Sequence, residues 1–446
     1  MELNERAERL RADRRNLYAP LESEPIDLDA LFDMMVRVLG TDYVMASRKH
    51  RAFMPNEYRT YILSHYRYND LTLQMLARSL HQFTADMRDR HLRFHCENWI
   101  DYQNTGLDYR VRAERDSLWV TEARPGCPLR VGDCLLEIQH MTPERIRDYL
   151  RGTGFYASEP ERELWGGYLR MARNALVRHR NGSEELMLLP HVPETKEQWP
   201  IGAKLLGDTV YLKLEHMDRS ATEALLRDFT PAIGASRKLI LDLRRNVGGD
   251  EDALNGLLPF LLDRETTLAE LTDEKEYYVN CTATNCELRY RQLSDFLDTL
   301  TDTDECALVE TERDFYLKNY GRGPVIRRAE PTPPLVFTPA AHAPERVVLL
   351  TDTFCEDEGE RFVAMAQRCG SKVVTLGRPT MGTLDTFDNI TVQLNSHMTI
   401  SYPIAMTADA YEGRGVLGKG LPVDRYVPWT TEELYRDVLL EKALAI

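Results

Sequence analysis

Two stretches of the chain hold residues whose types and order could perform acyl-transfer chemistry. The first is Leu239-Ile240-Leu241-Asp242-Leu243-Arg244-Arg245-Asn246-Val247-Gly248-Gly249, an apolar run ending in a glycine pair. Paired glycines after a strand let backbone N–H groups approach a ligand closely, as an oxyanion hole requires; a strand-to-helix turn is the simpler reading of the same residues. The second is the apolar Val347–Thr351, followed by Asp352-Thr353-Phe354-Cys355-Glu356-Asp357-Glu358-Gly359-Glu360 and a helical pattern, Arg361–Arg368. Upstream, Asp89-Arg90-His91 offers a histidine for acid/base work, or a structural one. Cys355 ends a buried-type strand with no cation beside it in sequence, so it reads as an inert thiol.

Helices and strands must bring these stretches together. Leu73, Leu76, Leu80, Phe83 and Met87 recur at helical spacing after an Asn69–Asp70 cap, so the first hundred residues read as helical. Tyr109–Ala113 and Leu118–Thr121 alternate like strands, and Pro125-Gly126 marks a turn. Leu135–Ile138 and a helix from Thr142 to Leu150 complete a segment with the outline of half a PDZ-like module. A linking helix is expected over Glu159–Arg178. The remainder alternates. Strands are expected at Val210–Leu214, Leu239–Leu243, Val347–Leu350, Val373–Leu376, Ile390–Leu394 and Met398–Pro403, with helices at Thr222–Ile233, Asp252–Leu262, Gly359–Arg368 and Thr431–Ala445. That is α/β texture, in which sites collect where sheet ends feed helix starts.

The ordered set continues through Gly377-Arg378-Pro379-Thr380-Met381-Gly382, Tyr411-Glu412-Gly413-Arg414-Gly415-Val416 and Leu421-Pro422-Val423-Asp424. Together these motifs resemble the tail-specific, or C-terminal-processing, serine peptidase family, in its tricorn- and interphotoreceptor-retinoid-binding-protein-like branch. The resemblance covers about Leu205 to the C-terminus and reaches more weakly to the PDZ-like segment and to Asp89-Arg90-His91. It implies an α/β fold: a crotonase-like αβ peptidase core with an N-terminal helical domain and a PDZ-like module. The expected boundaries are 1–103 for the helical domain, 104–155 for the PDZ-like module, 156–204 for the connector and 205–446 for the core. Residues 264–346, too long for a loop, read as an insert in that core.

The family's catalysis, as the resemblance implies it, uses a serine at a helix N-terminus, a Lys or His base and backbone amides near the glycine pair. This chain departs from that pattern. The nucleophile position, three residues before Glu360, is Asp357, and the lysine position is Thr383. His91 is left as the base, and Gly248 and Gly249 as the oxyanion-type amides. A carboxylate is a weak nucleophile toward amides, and its charge opposes a developing oxyanion. If the two loops adjoin, Asp250, Glu251, Asp252, Glu356, Asp357 and Glu358 crowd one centre. Aspartates at a first helical turn also serve simply as caps. The expectation is a pseudopeptidase that binds peptides or a protein partner through a C-terminus. The alternatives are a hydrolase using His91 with Asp357 or a metal, and a small-ligand carrier.

Composition bounds the rest. With 56 Lys+Arg against 71 Asp+Glu the formal charge is −15, which disfavours nucleic acid as a partner. No apolar run is long enough to span a bilayer and no leader is visible, so a cytoplasmic location is expected. The 8 cysteines show no CxxC pair, and reduced thiols are expected. No cofactor or metal is implied, and self-association stays open.

Overall fold

The computed structural model describes residues 28–46, 60, 89–96, 105–149, 162–163, 165–193, 201–272, 276–328, 335–395 and 398–446. The helical pattern from Leu73 to Met87 lies outside them. The protein is mixed α/β and divides into two compact units. One comprises Met1–Trp99, Glu274–Glu330 and Asp385–Gly415, and the other Ile100–Asp273, Pro331–Leu384 and Val416–Ile446.

The second unit is built on a six-stranded sheet, in the order Arg425–Tyr426, Val373–Gly377, Arg346–Thr351, Lys238–Asp242, Thr209–Leu214, Ile201–Leu206. All neighbours pair in parallel except the last two, which are antiparallel. The central strands are near-continuous apolar runs because both faces are covered. Leu239, Leu241, Val347 and Leu349 face one core, with Leu254, Leu258, Phe362 and Val363 from the helices. Ile240, Val348 and Leu350 face the other, against Leu439 and Ala443.

The Arg219–Ala235 helix follows the Thr209–Leu214 strand and is capped by Asp218, whose side chain accepts from the Ala221 N–H. The Asp357–Gln367 helix follows Arg346–Thr351. A separate antiparallel sheet of five strands, Tyr109–Glu114, Ser117–Ala123, Cys134–Ile138, Asn174–Arg178 and Glu184–Leu188, closes over its own core with Trp165, Tyr168 and Leu169. Thr142 caps the Pro143–Tyr149 helix by accepting from the Arg145 N–H at 3.3 Å.

Three expected helices come out differently. Within Glu159–Arg178 the described helix is Trp165–Met171, and Asn174–Arg178 is a strand. Ala175 and Val177 are both buried on one face, a two-residue period that a helical reading of the segment overlooks. Thr431–Ala445 breaks into the short 3₁₀ turn Thr431–Leu434 and the helix Val438–Ala445. Asp437 forces the restart by capping the second piece, accepting from the Leu440 N–H at 3.0 Å. Asp252–Leu262 contributes only a 3₁₀ turn, Asn255–Leu257, and one helical turn, Leu258–Leu261.

In the first unit, the Met398–Thr407 strand pairs along one edge with Thr386–Asn395. Its other edge takes Arg93–Cys96 and then Glu276–Cys281, which pairs in turn with Gly323–Arg328. Two helices, Ala283–Leu297 and Thr303–Lys318, lie between those last two strands in sequence and start at Thr282 and Asp302 caps. Residues 276–328 of the long mixed stretch are therefore a helical hairpin set on a β-hairpin. Thr266–Thr267 and Val336–Phe337 pair with each other at its two ends, inside the second unit.

Candidate functional site

The Lys238–Asp242 and Arg346–Thr351 strands are neighbours in register, so the loops that leave their C-terminal ends start side by side. The glycine loop is pinned one amide at a time. The Arg244 N–H donates to Asp242 Oδ1 at 3.1 Å and the Arg245 N–H to Asp352 Oδ1 at 3.1 Å. The Asn246, Val247 and Asp250 amides donate to the carbonyls of Leu243, Glu215 and Met217. The Gly248 N–H donates to the Asn246 side-chain oxygen at 2.9 Å. Among the described residues, the Gly249 N–H is the one amide of this series without an acceptor.

Gly248 and Gly249 have φ of 78° and 135°, in the region that favours glycine. Space reinforces this. A β-carbon on Gly248 would lie 2.7 Å from Asp357 Cβ and 3.2 Å from the Glu358 nitrogen, and one on Gly249 would lie 2.4 Å from the Met217 carbonyl oxygen. The glycine loop and the start of the Asp357–Gln367 helix thus meet face to face within one unit.

Asp357 is exposed and has φ 58°, a left-handed conformation at the first residue of its helix. Such a conformation costs about 1–3 kcal/mol for a non-glycine residue and persists only where neighbours impose it. Here the Asp357 N–H donates to Thr383 Oγ1 at 2.8 Å, and the Glu356 N–H donates to the Asn246 carbonyl at 2.9 Å. Thr383 is itself fixed from below by Glu360, whose Oε2 accepts from the Thr383 N–H at 2.7 Å and its hydroxyl at 2.8 Å. Glu360 Oε1 accepts from the Gly382 N–H at 2.8 Å and from the Thr380 hydroxyl. Thr383 is therefore a buried threonine that holds the helix start.

Four of the six acidic residues are engaged by arginines. Arg361 bridges Glu251 and Glu358, and the Arg219 N–H donates to Asp250 Oδ2 at 2.8 Å while its guanidinium lies 3.5 Å from Asp252. Burial still pushes the Glu358 carboxyl up, with Arg361 acting against it and Glu251 and Asp357 adding to the rise. Cys355 is fully buried, and burial followed by Glu360 and Asp352 pushes its thiol well above the ordinary range. Among the described residues, no group of three or more His, Cys, Asp or Glu is placed to hold a metal ion.

His91 belongs to the first unit, where its main-chain N–H donates to Asp89 Oδ1 at 3.0 Å. Buried Asp89 also accepts from the Tyr43 hydroxyl at 2.7 Å and from the Thr386 hydroxyl at 3.0 and 3.1 Å. The single Thr386 proton is thereby committed to Asp89. Its contact with His91 Nδ1 at 3.2 Å then requires Nδ1 to be the donor. Neutral His91 so keeps its lone pair on Nε2, the tautomer that a general base of this kind uses. Asp89, Thr386 and Tyr43 are supports that residue patterns did not single out; only the Asp-x-His spacing hinted at the first. His216 was also missed. It stands just beyond the Thr209–Leu214 strand with its Cε1 3.1 Å from where a Gly249 β-carbon would be.

Asp352 anchors the floor of the site. It is buried and accepts from the Arg245 and Phe354 amides at 3.1 and 3.0 Å, with Arg112 paired to its carboxylate. Burial alone would push this carboxyl up, but Arg112 and Arg378 hold it below its ordinary 3.8. Between the two values the unfolded chain binds the extra proton. The stability owed to Asp352 is thus complete above 3.8 and is lost as pH falls through the lower, folded value. Acid unfolding followed by circular dichroism should show this limb, and Asp352→Asn should flatten it while lowering stability at neutral pH.

Residues 208–427 match the model of peptidase family S41. Among solved structures, mature CPAF complexed with lactacystin aligns over 93% of this chain and 97% of its own, with TM-score 0.62 and 13% identity. A second structure of mature CPAF aligns over 93% of this chain and 95% of its own, also with TM-score 0.62 and 13% identity. The photosystem II D1 C-terminal processing protease aligns over 92% and 96% at TM-score 0.41 and 14% identity. A search of the curated proteins found no match. At 13% identity the CPAF likeness is one of fold, and it spans nearly the whole chain. Through residues 208–427, the chain belongs to peptidase family S41.

Proposed function

We propose that this S41-family protein is a pseudopeptidase, which engages an extended peptide or the C-terminus of a protein partner without serine-type hydrolysis. The observation that carries the reading is Asp357. It stands at a helix start in a left-handed conformation, against a glycine pair, and the resemblance implies that this is the position of the family's nucleophilic serine. The place and strain are those of an exposed nucleophile, but a carboxylate attacking an amide would have to form an anhydride. The Gly248 amide is also turned onto Asn246, which leaves Gly249 and the Glu358 amide as the donors nearest to a bound carbonyl. On this reading 205–446 is a crotonase-like core and 104–155 the PDZ-like module that takes the chain end, its sheet completed by Asn174–Arg178 and Glu184–Leu188 from the expected connector.

The purified protein should show no labelling by a fluorophosphonate probe and no cleavage of unstructured peptides. Fluorescence anisotropy should detect binding of peptides with a free C-terminus and weaker binding of their amidated forms. Turnover that disappears in Gly248→Arg would overturn the pseudopeptidase reading.

A second reading, a hydrolase of altered chemistry, is favoured by the His91 ring, whose Nδ1 meets the Thr386 hydroxyl at 3.2 Å beside the buried Asp89. Asp357→Ala and Asp357→Ser separate the two. Loss of an existing activity in Asp357→Ala supports altered chemistry, whereas hydrolysis gained in Asp357→Ser supports a disabled peptidase.

A further inference from the structure

We infer that the helical hairpin within residues 276–328 is a positioning device for His91, acting through Asp388. Arg289 and Tyr316, one from each helix, lock Asp388 in a left-handed conformation, and that conformation sets two side chains that hold the histidine. All of these residues lie in one unit. The inference goes beyond the peptidase reading. It concerns the state of the imidazole itself, whether or not His91 serves a reaction.

Asp388 has φ 61° within the Thr386–Asn395 strand, where an extended backbone is the rule. Pairing with the Met398–Thr407 strand continues on both sides of it, with Phe387 opposite Ala405 and Asn389 opposite Pro403, so no extra residue is inserted. The break is one of conformation only, and it has a geometric consequence. Residues three apart in a regular strand point to opposite faces. Thr386 and Asn389 are three apart, yet both reach His91. The Thr386 hydroxyl lies 3.2 Å from Nδ1, and the Asn389 side-chain N–H donates to the His91 carbonyl at 3.3 Å. The left-handed residue between them lets both arrive on the same histidine.

A non-glycine residue stays in that region only where its surroundings impose it. Here the hairpin does so. The Arg289 guanidinium donates to Asp388 Oδ1 and, at 3.1 Å, to the Asn389 carbonyl, so one side chain grips the residue and its successor. The buried Tyr316 hydroxyl donates to Asp388 Oδ2 at 3.0 Å. Both carboxylate oxygens are thus taken by the hairpin. Arg289 belongs to the Ala283–Leu297 helix and Tyr316 to Thr303–Lys318, so the grip requires the two helices in their packed arrangement. A single bond would leave Asp388 free to swing about it, whereas bonds from two helices fix it.

The test is proton–nitrogen correlation NMR of the full chain, isotopically labelled at histidine, with the His91 signal identified by its loss in His91→Gln. Such spectra report which ring nitrogen carries the proton, and the wild type should show it on Nδ1. Arg289→Gln and Tyr316→Phe should each replace that single form by an averaged mixture of the two tautomers. Asp388→Gly accepts φ 61° but has no carboxylate to be gripped, and should do the same. Asp388→Asn keeps one acceptor oxygen and tolerates the left-handed region, so it should restore much of the wild-type signal. Tyr320→Phe removes a hairpin bond to Glu287 that does not involve Asp388, and should leave the ring unchanged. The inference is overturned if Arg289→Gln and Tyr316→Phe lower the melting temperature with the His91 signal unmoved, since the hairpin is then only a structural support. It is overturned equally if Tyr320→Phe alters the signal as much as they do, or if His91 is already a mixture in the wild type. Because neither cleavage nor binding is read, failure of the pseudopeptidase reading leaves this result untouched.

Discussion

Replacing Glu360 by alanine should destabilise the protein by about 3–5 kcal/mol, read as a lowered urea midpoint with the slope unchanged. Glu360 is fully buried and takes four donors, the Thr380 and Thr383 hydroxyls and the Gly382 and Thr383 amides. The two hydroxyls are not free to turn elsewhere. Thr380 Oγ1 accepts from the Leu421 N–H at 2.7 Å, and Thr383 Oγ1 accepts from the Asp357 N–H at 2.8 Å. Each is therefore left with its proton to give, and only Glu360 receives it. Removing the carboxylate strands four buried donors and opens a cavity, which is the costly direction of such a change. Glu360→Gln keeps one acceptor oxygen but sets an NH₂ against two committed donors, so about 1–3 kcal/mol should be lost. Equal stability of Glu360→Ala and wild type would mean that the 380–383 loop is held by other contacts.

Gly359→Ala should cost about 2–4 kcal/mol, although alanine is the better helix former by about 1 kcal/mol. The new β-carbon would lie 2.2 Å from Asn246 Oδ1 and 2.6 Å from its Cγ. Asn246 cannot yield cheaply. It is fully buried, donates to the Leu214 carbonyl at 2.7 Å and accepts from the Gly248 N–H at 2.9 Å. Asn246→Ala alone should also destabilise, by about 1–3 kcal/mol, because Gly248 and Leu214 lose their partner. In that background, however, the room that Gly359→Ala needs has been made. The double mutant should be more stable than the sum of the two losses by at least about 1.5 kcal/mol. Strict additivity in the cycle would show that the helix start and the glycine loop are not in contact at Asn246.

The extent to which the sequence foretold this arrangement differs by layer. The strands Lys238–Asp242, Arg346–Thr351 and Val373–Gly377 were plain to read, because burial on both faces leaves an unbroken apolar run between turn residues. The meeting of Gly248 with Asp357 is what the order of motifs implies under the resemblance, and the 2.7 Å that a β-carbon on Gly248 would leave to Asp357 Cβ fits it. The hydrogen-bond wiring was not legible. Asn246 and Thr383 are ordinary loop residues in sequence, and what each binds depends on where a distant backbone amide falls. The same holds for charge. Six carboxylates stood out as a cluster, while Arg219 and Arg361, which interleave with them, come from separate helices and carry no local signature. The helix read over Glu159–Arg178 failed for a different reason. A seven-residue helix and a strand of five follow each other there, so no window is long enough to show either period.

Each unit is assembled from three separate stretches of chain, so the polypeptide passes from one to the other five times. During synthesis this imposes an order of events. Asp89 and His91 leave the ribosome early, but Thr386, which commits the imidazole tautomer, follows 295 residues after His91. The Lys238–Asp242 strand likewise waits more than a hundred residues for its Arg346–Thr351 neighbour. Non-local pairing of this kind makes folding slow and leaves apolar strands exposed on the nascent chain. The histidine and the Asp357 loop therefore become defined only near the end of translation. Holdase chaperones should be found on ribosome-bound intermediates that stop short of Thr386.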